Sequence, residues 1–474
     1  MAAGLPSATT GGNVYLFLVS MRVTFALREG GSRAGSRLVT MHTTDTLGVL
    51  PRANPRALAA VDVPPGMAGV LNLTEALSHA ISGDGPAVVP IPTGPQGVVD
   101  QILDAVRPDS PAHPIEADDV AAVVTTSGST GTPRGVLLTG SALLASATAF
   151  GSRFGTEARW VVALPVHRIG GLMVLVRSLV HNNPYEVDPS VGGGRAFDPT
   201  TFAATTRRAA RRSAADGRRL MVSLVPTQIA RLVESGHVGI EALQAYDVVL
   251  SGAAATPQPL LNVLREHGIK VVISYGMSET SGGCVFDGQP LDGVDISLGT
   301  QSDAEPGRIS IGGSVLASGY RLRPDLDALT FLGGRVMTHD VGRLDQMGLL
   351  HVLGRLDDVV TVGGVNVALS AVEAIVRHHP MIDEVAMIDV PDTEWGSLPM
   401  AYIVLRSNDL DRQALEGELR FAIEQRIGRA ALPRFFAYVD YLPMLDSGKV
   451  DRLALRLQAS KDLERARSQG RRAK

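Results

Sequence analysis

The sequence predicts an α/β protein: a large N-terminal region of α/β subdomains, a β-rich module, and a smaller α+β domain at the C-terminal end. Three changes of texture carry this reading. From residue 47 to residue 180 short apolar runs alternate with amphipathic stretches, the pattern of parallel strands joined by helices. After Gly288 the chain turns to short strands and turns, and beyond Asp358 a second alternation begins.

In the first region "AVVPIP", "AAVVTT" and "WVVALP" are continuous apolar runs bounded by turn residues, as strands buried on both faces require. Residues 73–81 have helical periodicity. The alternation continues through "RLMVSLVP" at 219–226, the helical "TQIARLVESG", "YDVVLSG", and "IKVVISYGMSET" at 269–280. "GRISIGGSVLASGY" (307–320) and "GLLHVLGRLDD" belong to the β-rich module. The last domain reads as a helix at "LSAVEAIVRHH", strands at "EVAMIDVP" and "MAYIVLRS", and a helix at "DRQALEGELRFAIEQRI". The expected organisation is therefore an extension over 1–40, with Met41 an alternative start, a large domain over 41–354, a boundary at 355–358, a small domain over 359–460 and a basic tail over 461–474.

Composition excludes several classes. The 474 residues are 45% hydrophobic and 19% charged, with a formal net charge of −4, so no basic excess points to nucleic acid. Arg207, Arg208, Arg211 and Arg212 recur at helical spacing and read as a solvated helix face. The single cysteine, Cys284, excludes an internal disulfide framework and a multi-cysteine metal site, which fits a reducing cytoplasm. No run reaches the length of a membrane span. In the apolar head "NVYLFLVSM" the positive charges follow rather than precede, unlike a signal peptide.

One loop stands out. "TTSGSTGTPRG" (125–135) holds three Gly and six Ser/Thr after an apolar strand. It lacks the Lys-Ser/Thr of a Walker loop and the G-x-G-x-x-G of a dinucleotide fold. What remains is still suited to phosphate: glycines admit backbone N–H groups to an anion, hydroxyls donate further hydrogen bonds, and Arg134 adds charge. By itself the loop is equally compatible with a turn.

The loop is followed in order by "SYGMSETSG" (274–282), "THDVGRLDQMGLLHVLGRLDDVVTVGGVNV" (338–367) and "LPMLDSGKVDR" (442–452). These four strings resemble the adenylate-forming superfamily of acyl-CoA synthetases, adenylation domains and luciferases, over residues 121–452. The resemblance implies activation of a carboxylate by ATP to an acyl adenylate, then transfer to a thiol, with ATP, Mg2+ and coenzyme A as cofactors. Such a reaction joins two anions, so charge neutralisation and alignment are what catalysis must supply.

Carried over residue by residue, Thr126, Ser127, Gly128, Ser129, Thr130, Gly131, Thr132 and Arg134 would hold the leaving pyrophosphate, Arg134 standing where the family usually has Lys. Tyr275 and Gly276 would border adenine, Gly276 also the acyl group, Glu279 would ligate magnesium and Thr280 would meet the α-phosphate. Asp340 and Arg355 would grip the ribose, with His339 replacing the usual Gly. Ser251, Gly252, Ala253 and Ala254 match the wall of small residues beside adenine and acyl group. Lys449 matches the lysine that a mobile small domain brings to the carboxylate and α-phosphate. In the same family Asp357 would be the hinge, and Gly363, Gly364 and Val365 the thiol tunnel, Val365 replacing the usual Glu.

"ALPVHRIGGLMVLVRS" (163–178), "SLVPTQ" (223–228) and the compact length before the loop look like the o-succinylbenzoate CoA ligases of menaquinone biosynthesis. That substrate is a dicarboxylate, whose second carboxylate needs a cation or donors. His167, Arg168 and Arg177 are the acyl-site candidates, Arg177 reading equally as an arginine snorkelling at a helix end. A metal role for His167, His378 or His379 has no second ligand at suitable spacing. The partners expected are thus a small-molecule carboxylic acid, ATP and coenzyme A, without nucleic acid or membrane span, and with homo-oligomerisation open. Alternatives are a synthetase for another acid, an amino-acid adenylation enzyme, and a non-catalytic nucleotide-binding homologue.

Overall fold

The apolar runs pair where their patterning predicts. A computed structural model describes residues 56–127, 133–193, 195–300, 305–392, 395–407, 411–444, 450–459 and 461. The extension 1–40, the loop residues Gly128, Ser129, Thr130, Gly131 and Thr132, Lys449 and the tail from 462 lie outside the described residues.

The first sheet begins with three parallel strands, Leu58–Val63, Ala87–Pro92 and Val120–Ser127. It then reverses through Pro133–Thr139 and ends on Gly319–Tyr320, both antiparallel to their neighbours. The first crossover is the helix Met67–Ser82, longer than the expected 73–81. It buries Val70, Leu73, Leu77 and Ala80, one face at three- and four-residue spacing. The helix stops where Gly83 takes φ 81° and its N–H donates to Ala80 O.

The second sheet runs in the order Tyr185–Val187, Ala158–Val162, Arg219–Leu224, Val248–Ser251, Val271–Met277, all parallel. Gly282–Phe286 and Gln289–Pro290 complete it antiparallel. The helix Ile169–Val180 is buried along most of its length. One core joins residues of both sheets, Val88, Val124 and Leu138 with Trp160, Val162 and Leu250, through Leu143, Phe150, Leu172 and Leu175 of the helices Gly140–Phe154 and Ile169–Val180. The arginine-rich helix Pro199–Asp216 exposes Arg207, Arg208, Arg211 and Arg212, the solvated face expected.

The β-rich module is a third, antiparallel sheet in which Arg335–Leu344 pairs with Gly307–Gly313, Phe331–Leu332 and Leu350–Arg355, and Val294–Ser297 lies beyond Gly307–Gly313. The turn Leu356–Asp358 separates it from the fourth sheet, ordered Val365–Ala368, Val359–Val362, Gly396–Leu405, Ile382–Asp392. Strand alternation divides that sheet's two faces. Val385 and Met387 pack under the helices Leu369–Arg377 and Arg412–Arg426, while Ala386 and Ile388 pack against Leu442, Leu455 and Ala459.

A buried arginine locks the first sheet to the module that follows the second. Arg321 is 1% exposed. Its backbone N–H donates to Gly135 O at 2.7 Å, and its guanidinium donates to Val106 O, Pro114 O, His113 O and the Glu116 carboxylate. Arg321→Met keeps much of the volume but leaves these acceptors without their shared donor. We expect a loss of about 3 kcal/mol, seen as a lower urea midpoint.

Candidate active site

The strands on either side of the loop singled out by its glycines and hydroxyls pair as an antiparallel hairpin. Thr126 pairs with Arg134 and Ser127 with Pro133, so residues 128–132 connect the strand ends and Arg134 leaves the tip beside Thr126. Gly135 serves packing: a Cβ there would lie 2.7 Å from Val123 and 2.8 Å from Val106. The Thr125 hydroxyl is buried without a hydrogen-bond partner, and Thr125 O accepts from Arg168 Nη1 at 3.0 Å. The base of the hairpin is thereby tied to the candidate acyl segment.

The second motif is a reversal. The strand Val271–Met277 passes through the 3-10 turn Ser278–Thr280 into Gly282–Phe286, and the two strands approach so closely at Gly276 that a Cβ would lie 2.1 Å from Gly282 O. Thr280 is fully buried, and its hydroxyl accepts from Met277 N–H and donates to Gly282 O at 2.8 Å. Contact with an α-phosphate through Oγ1 therefore requires that hydroxyl to leave its own turn. Glu279 is half-buried and its Oε1 accepts from the Tyr320 hydroxyl at 2.6 Å. Burial, and then the neighbouring Glu279 carboxylate, push the Tyr320 phenol up, while nearby Arg134 opposes them. Arg134, Tyr320 and Glu279 thus form one neighbourhood.

Four residues before Glu279, the Tyr275 hydroxyl donates to Asp340 Oδ2 at 2.7 Å. Asp340 lies opposite Arg355 in the third sheet, with Arg355 Nη1 3.4 Å from Asp340 Oδ1. Burial, followed by the Asp340 charge, raises the Tyr275 pKa, so the phenol stays protonated as a donor. Thr338 and Asp340 are buried on one side of their strand, and Thr338 Oγ1 accepts from Asp340 N–H. His339, where the family has Gly, is exposed, so the larger residue does not enter this cluster.

Ser251, at the end of its strand, is buried and bonded to Thr256 Oγ1 at 2.8 Å. Gly252 packs against Ser274, and Ala253, at φ 67°, and Ala254 are exposed. His167 is 5% exposed and neither ring nitrogen has a hydrogen-bond partner. Desolvation, aided by Arg168, lowers its pKa to about 3, so the imidazole is neutral. Arg177 does not snorkel: it is 4% exposed, stacked 4.0 Å over the Phe150 ring, and burial lowers its pKa to about 9.

Gly363 and Gly364 form the two-residue turn between Val359–Val362 and Val365–Ala368, at φ 57° and 83°. Their conformational freedom serves this hairpin. A Cβ on Gly364 would meet open space, whereas one on Gly363 would strike the Trp395 ring at 2.9 Å. Val365 is exposed, and Asp357 lies in the turn Leu356–Asp358. Around Lys449, Met444 bridges Val450, Asp451 N–H donates to Pro443 O, and Arg452 bonds Glu373 and Met387 O. Tyr320, Trp395 and Glu373 were not among the sequence candidates.

Among the described residues no three His, Cys, Asp or Glu side chains cluster as a cation cage. A single half-buried carboxylate, Glu279, beside a phosphate-type hairpin suits Mg2+, which takes one or two carboxylates together with phosphate oxygens.

The two parallel-strand sheets, the antiparallel module and the small last domain, with a lone carboxylate and an Asp–Arg pair near one strand, make the architecture of a nucleotide-dependent, adenylate-forming enzyme. Residues 69–321 match the AMP-binding enzyme family and residues 371–449 the AMP-binding enzyme C-terminal domain; the chain belongs to that family. Within it the chain groups with 2-succinylbenzoate–CoA ligases. It is 39% identical over 403 residues to the Mycobacterium tuberculosis protein named probable 2-succinylbenzoate–CoA ligase, spanning 84% of this chain and 97% of that one. It is 30% identical to the Geobacillus kaustophilus 2-succinylbenzoate–CoA ligase, over 72% and 70% of the two chains. Its fold is similar to o-succinylbenzoate CoA synthetase from Bacillus subtilis, solved with the acyl-adenylate intermediate, at TM-score 0.65 and 24% identity over 85% of this chain and 89% of that one. MatB from Rhodopseudomonas palustris, solved with ATP, gives TM-score 0.68 at 20% identity over 86% and 97%.

The buried His167 makes a pH prediction. Its folded pKa of about 3 lies below the ordinary 6.5, so between these values the unfolded chain binds a proton that the folded one does not. Stability contributed by this site is present above pH 6.5 and is lost as pH falls toward 3. In urea unfolding at a series of pH values, His167→Gln should show a flatter decline below pH 6.5 than the wild type.

Proposed function

We propose that the chain joins 2-succinylbenzoate to coenzyme A, splitting ATP to AMP and pyrophosphate through an acyl adenylate. The observation that carries the reading is the segment Tyr275–Glu279, from which one side chain meets the ribose-type pair Asp340–Arg355 and another meets Tyr320 beside Arg134. Match over nearly its whole length to the protein named probable 2-succinylbenzoate–CoA ligase supports the choice of acid.

In the first half-reaction the substrate carboxylate attacks the α-phosphate, and pyrophosphate leaves toward Thr126, Ser127, the tip residues 128–132 and Arg134. Tyr275, Gly276 and the wall Ser251–Ala254 bound the adenine, and Asp340 and Arg355 hold the ribose. Glu279 would hold Mg2+, which when bound would neutralise charge on the phosphates. Lys449 supplies a second cation at the carboxylate and α-phosphate. Neutral His167, with both ring nitrogens unpaired, would hydrogen-bond the acyl substrate, and Arg168 beside it would supply positive charge for the second carboxylate; Arg177, at the far end of the helix Ile169–Val180 and stacked over Phe150, is left out of that role.

In the second half-reaction the small domain turns at Asp357, withdraws Lys449 and presents Gly363, Gly364 and Val365 to the pantetheine. The thiol then attacks the acyl carbon and AMP leaves. We propose that this runs in the cytoplasm; among the described residues no helix is long and apolar enough to cross a membrane.

ATP–pyrophosphate exchange measured with a panel of acids tests the reading. Exchange confined to 2-succinylbenzoate is expected; exchange with simple aryl or fatty acids instead overturns the substrate, and none with any acid overturns the activity. Lys449→Ala should lower adenylate formation by about 10²–10³-fold and spare thioester formation from supplied acyl adenylate. Equal loss of both half-reactions would refute this division of roles.

A further inference from the structure

Glu279 is gripped at two points by one segment, residues 317–320, which ends on the last strand of the first sheet. Its carbonyl accepts from Ala317 N–H at 2.9 Å and its Oε1 accepts from the Tyr320 hydroxyl at 2.6 Å. The neighbouring Ser281 hydroxyl donates to Val315 O at 2.8 Å, so residues 315–320 brace the whole reversal. Tyr320 has little freedom of its own. It is 5% exposed, stands edge-on to Phe331 with ring centroids 5.6 Å apart, donates its backbone N–H to Asp327 Oδ1 at 2.7 Å, and pairs with Val136. Gly319 lets Asp327 reach that N–H, since a Cβ would lie 2.8 Å from the Asp327 carboxylate.

The position of the phenol is therefore set by the strand that carries Arg134. A glutamate has three side-chain torsions, and without a fixed donor a half-exposed carboxylate samples many orientations. A short hydrogen bond to an ionised oxygen is among the stronger neutral-to-charged contacts, and it leaves Oε2 available. Support of this kind around a ligating carboxylate changes metal affinity rather than the identity of the ligand.

We propose that Tyr320 is a positioning residue, holding the Glu279 carboxylate in the orientation that meets the divalent cation on the departing pyrophosphate. The inference rests on the reading of Glu279 as the cation ligand. It couples the two ends of the phosphate site through one hydroxyl: Arg134 on the hairpin and Glu279 on the reversal keep a fixed relation because Tyr320 belongs to the hairpin's sheet.

The test is Tyr320→Phe, which removes one oxygen, alongside Glu279→Gln and the double variant. For Tyr320→Phe the Mg2+ concentration giving half-maximal ATP–pyrophosphate exchange should rise about tenfold, with a smaller fall in rate at saturating Mg2+. Calorimetric binding of Mn2+ to the enzyme complexed with a non-hydrolysable ATP analogue should weaken by a similar factor, while binding of AMP without metal is unchanged. The double variant should bind Mn2+ no more weakly than Glu279→Gln alone. If Glu279→Gln leaves Mn2+ binding unchanged, the ligand reading itself falls. If Glu279→Gln weakens Mn2+ binding and Tyr320→Phe does not, Tyr320 has no positioning role and the proposal is overturned. Glu279→Asp provides an independent arm that leaves Tyr320 in place: drawing the carboxylate back by one methylene should also weaken Mn2+ binding, and unchanged affinity there counts against the proposal.

Discussion

The close passage of Gly276 past Gly282 is the constraint on which the site depends. Only because no side chain intervenes can the strand Val271–Met277 reverse through a single 3-10 turn into Gly282–Phe286. That reversal sends Tyr275 toward Asp340 of the third sheet and Glu279 toward Tyr320 of the first. Two other sheets are fastened to a five-residue segment of the second. Joining two anions demands such fastening, because cations and donors must be in place before charge develops and not gathered afterwards.

The buried cations show two different physical solutions. Arg321 spreads its charge over backbone carbonyls and Glu116, which replace the water it loses. Arg177 has aromatic faces instead, and the shortfall is visible in a pKa brought down to about 9. Arg321 therefore belongs to the framework. Arg177 rests on ring faces, and the His167 ring nitrogens are buried without a hydrogen-bond partner.

In the last domain, support is concentrated on the chain that follows Lys449. Arg452 ties it to Glu373, which also accepts from Arg377 and from Met387 N–H. One carboxylate thus holds the helix Leu369–Arg377, the strand Ile382–Asp392 and the chain from Arg452. The Gly363–Gly364 turn, likewise, is covered on one side by Trp395.

From the order of residues alone followed the α/β class, about half of the strands and helices, and the candidate residues of the site. Strand and helix periodicity is local, and a hairpin tip rich in Gly and hydroxyls has its chemistry written within eleven residues. The reason for a given glycine was less legible: Gly135 packs against neighbouring side chains and Gly364 makes a turn, where phosphate and thiol contacts are the reading its motif suggests. Tertiary structure decided the partners. Tyr320 reaches Glu279 across 41 residues and Arg321 reaches Glu116 across 205, and a hydrogen bond at such separation leaves no periodic trace. Hydrogen bonds depend on tenths of an ångström and on orientation, quantities that exist only once the sheets have packed.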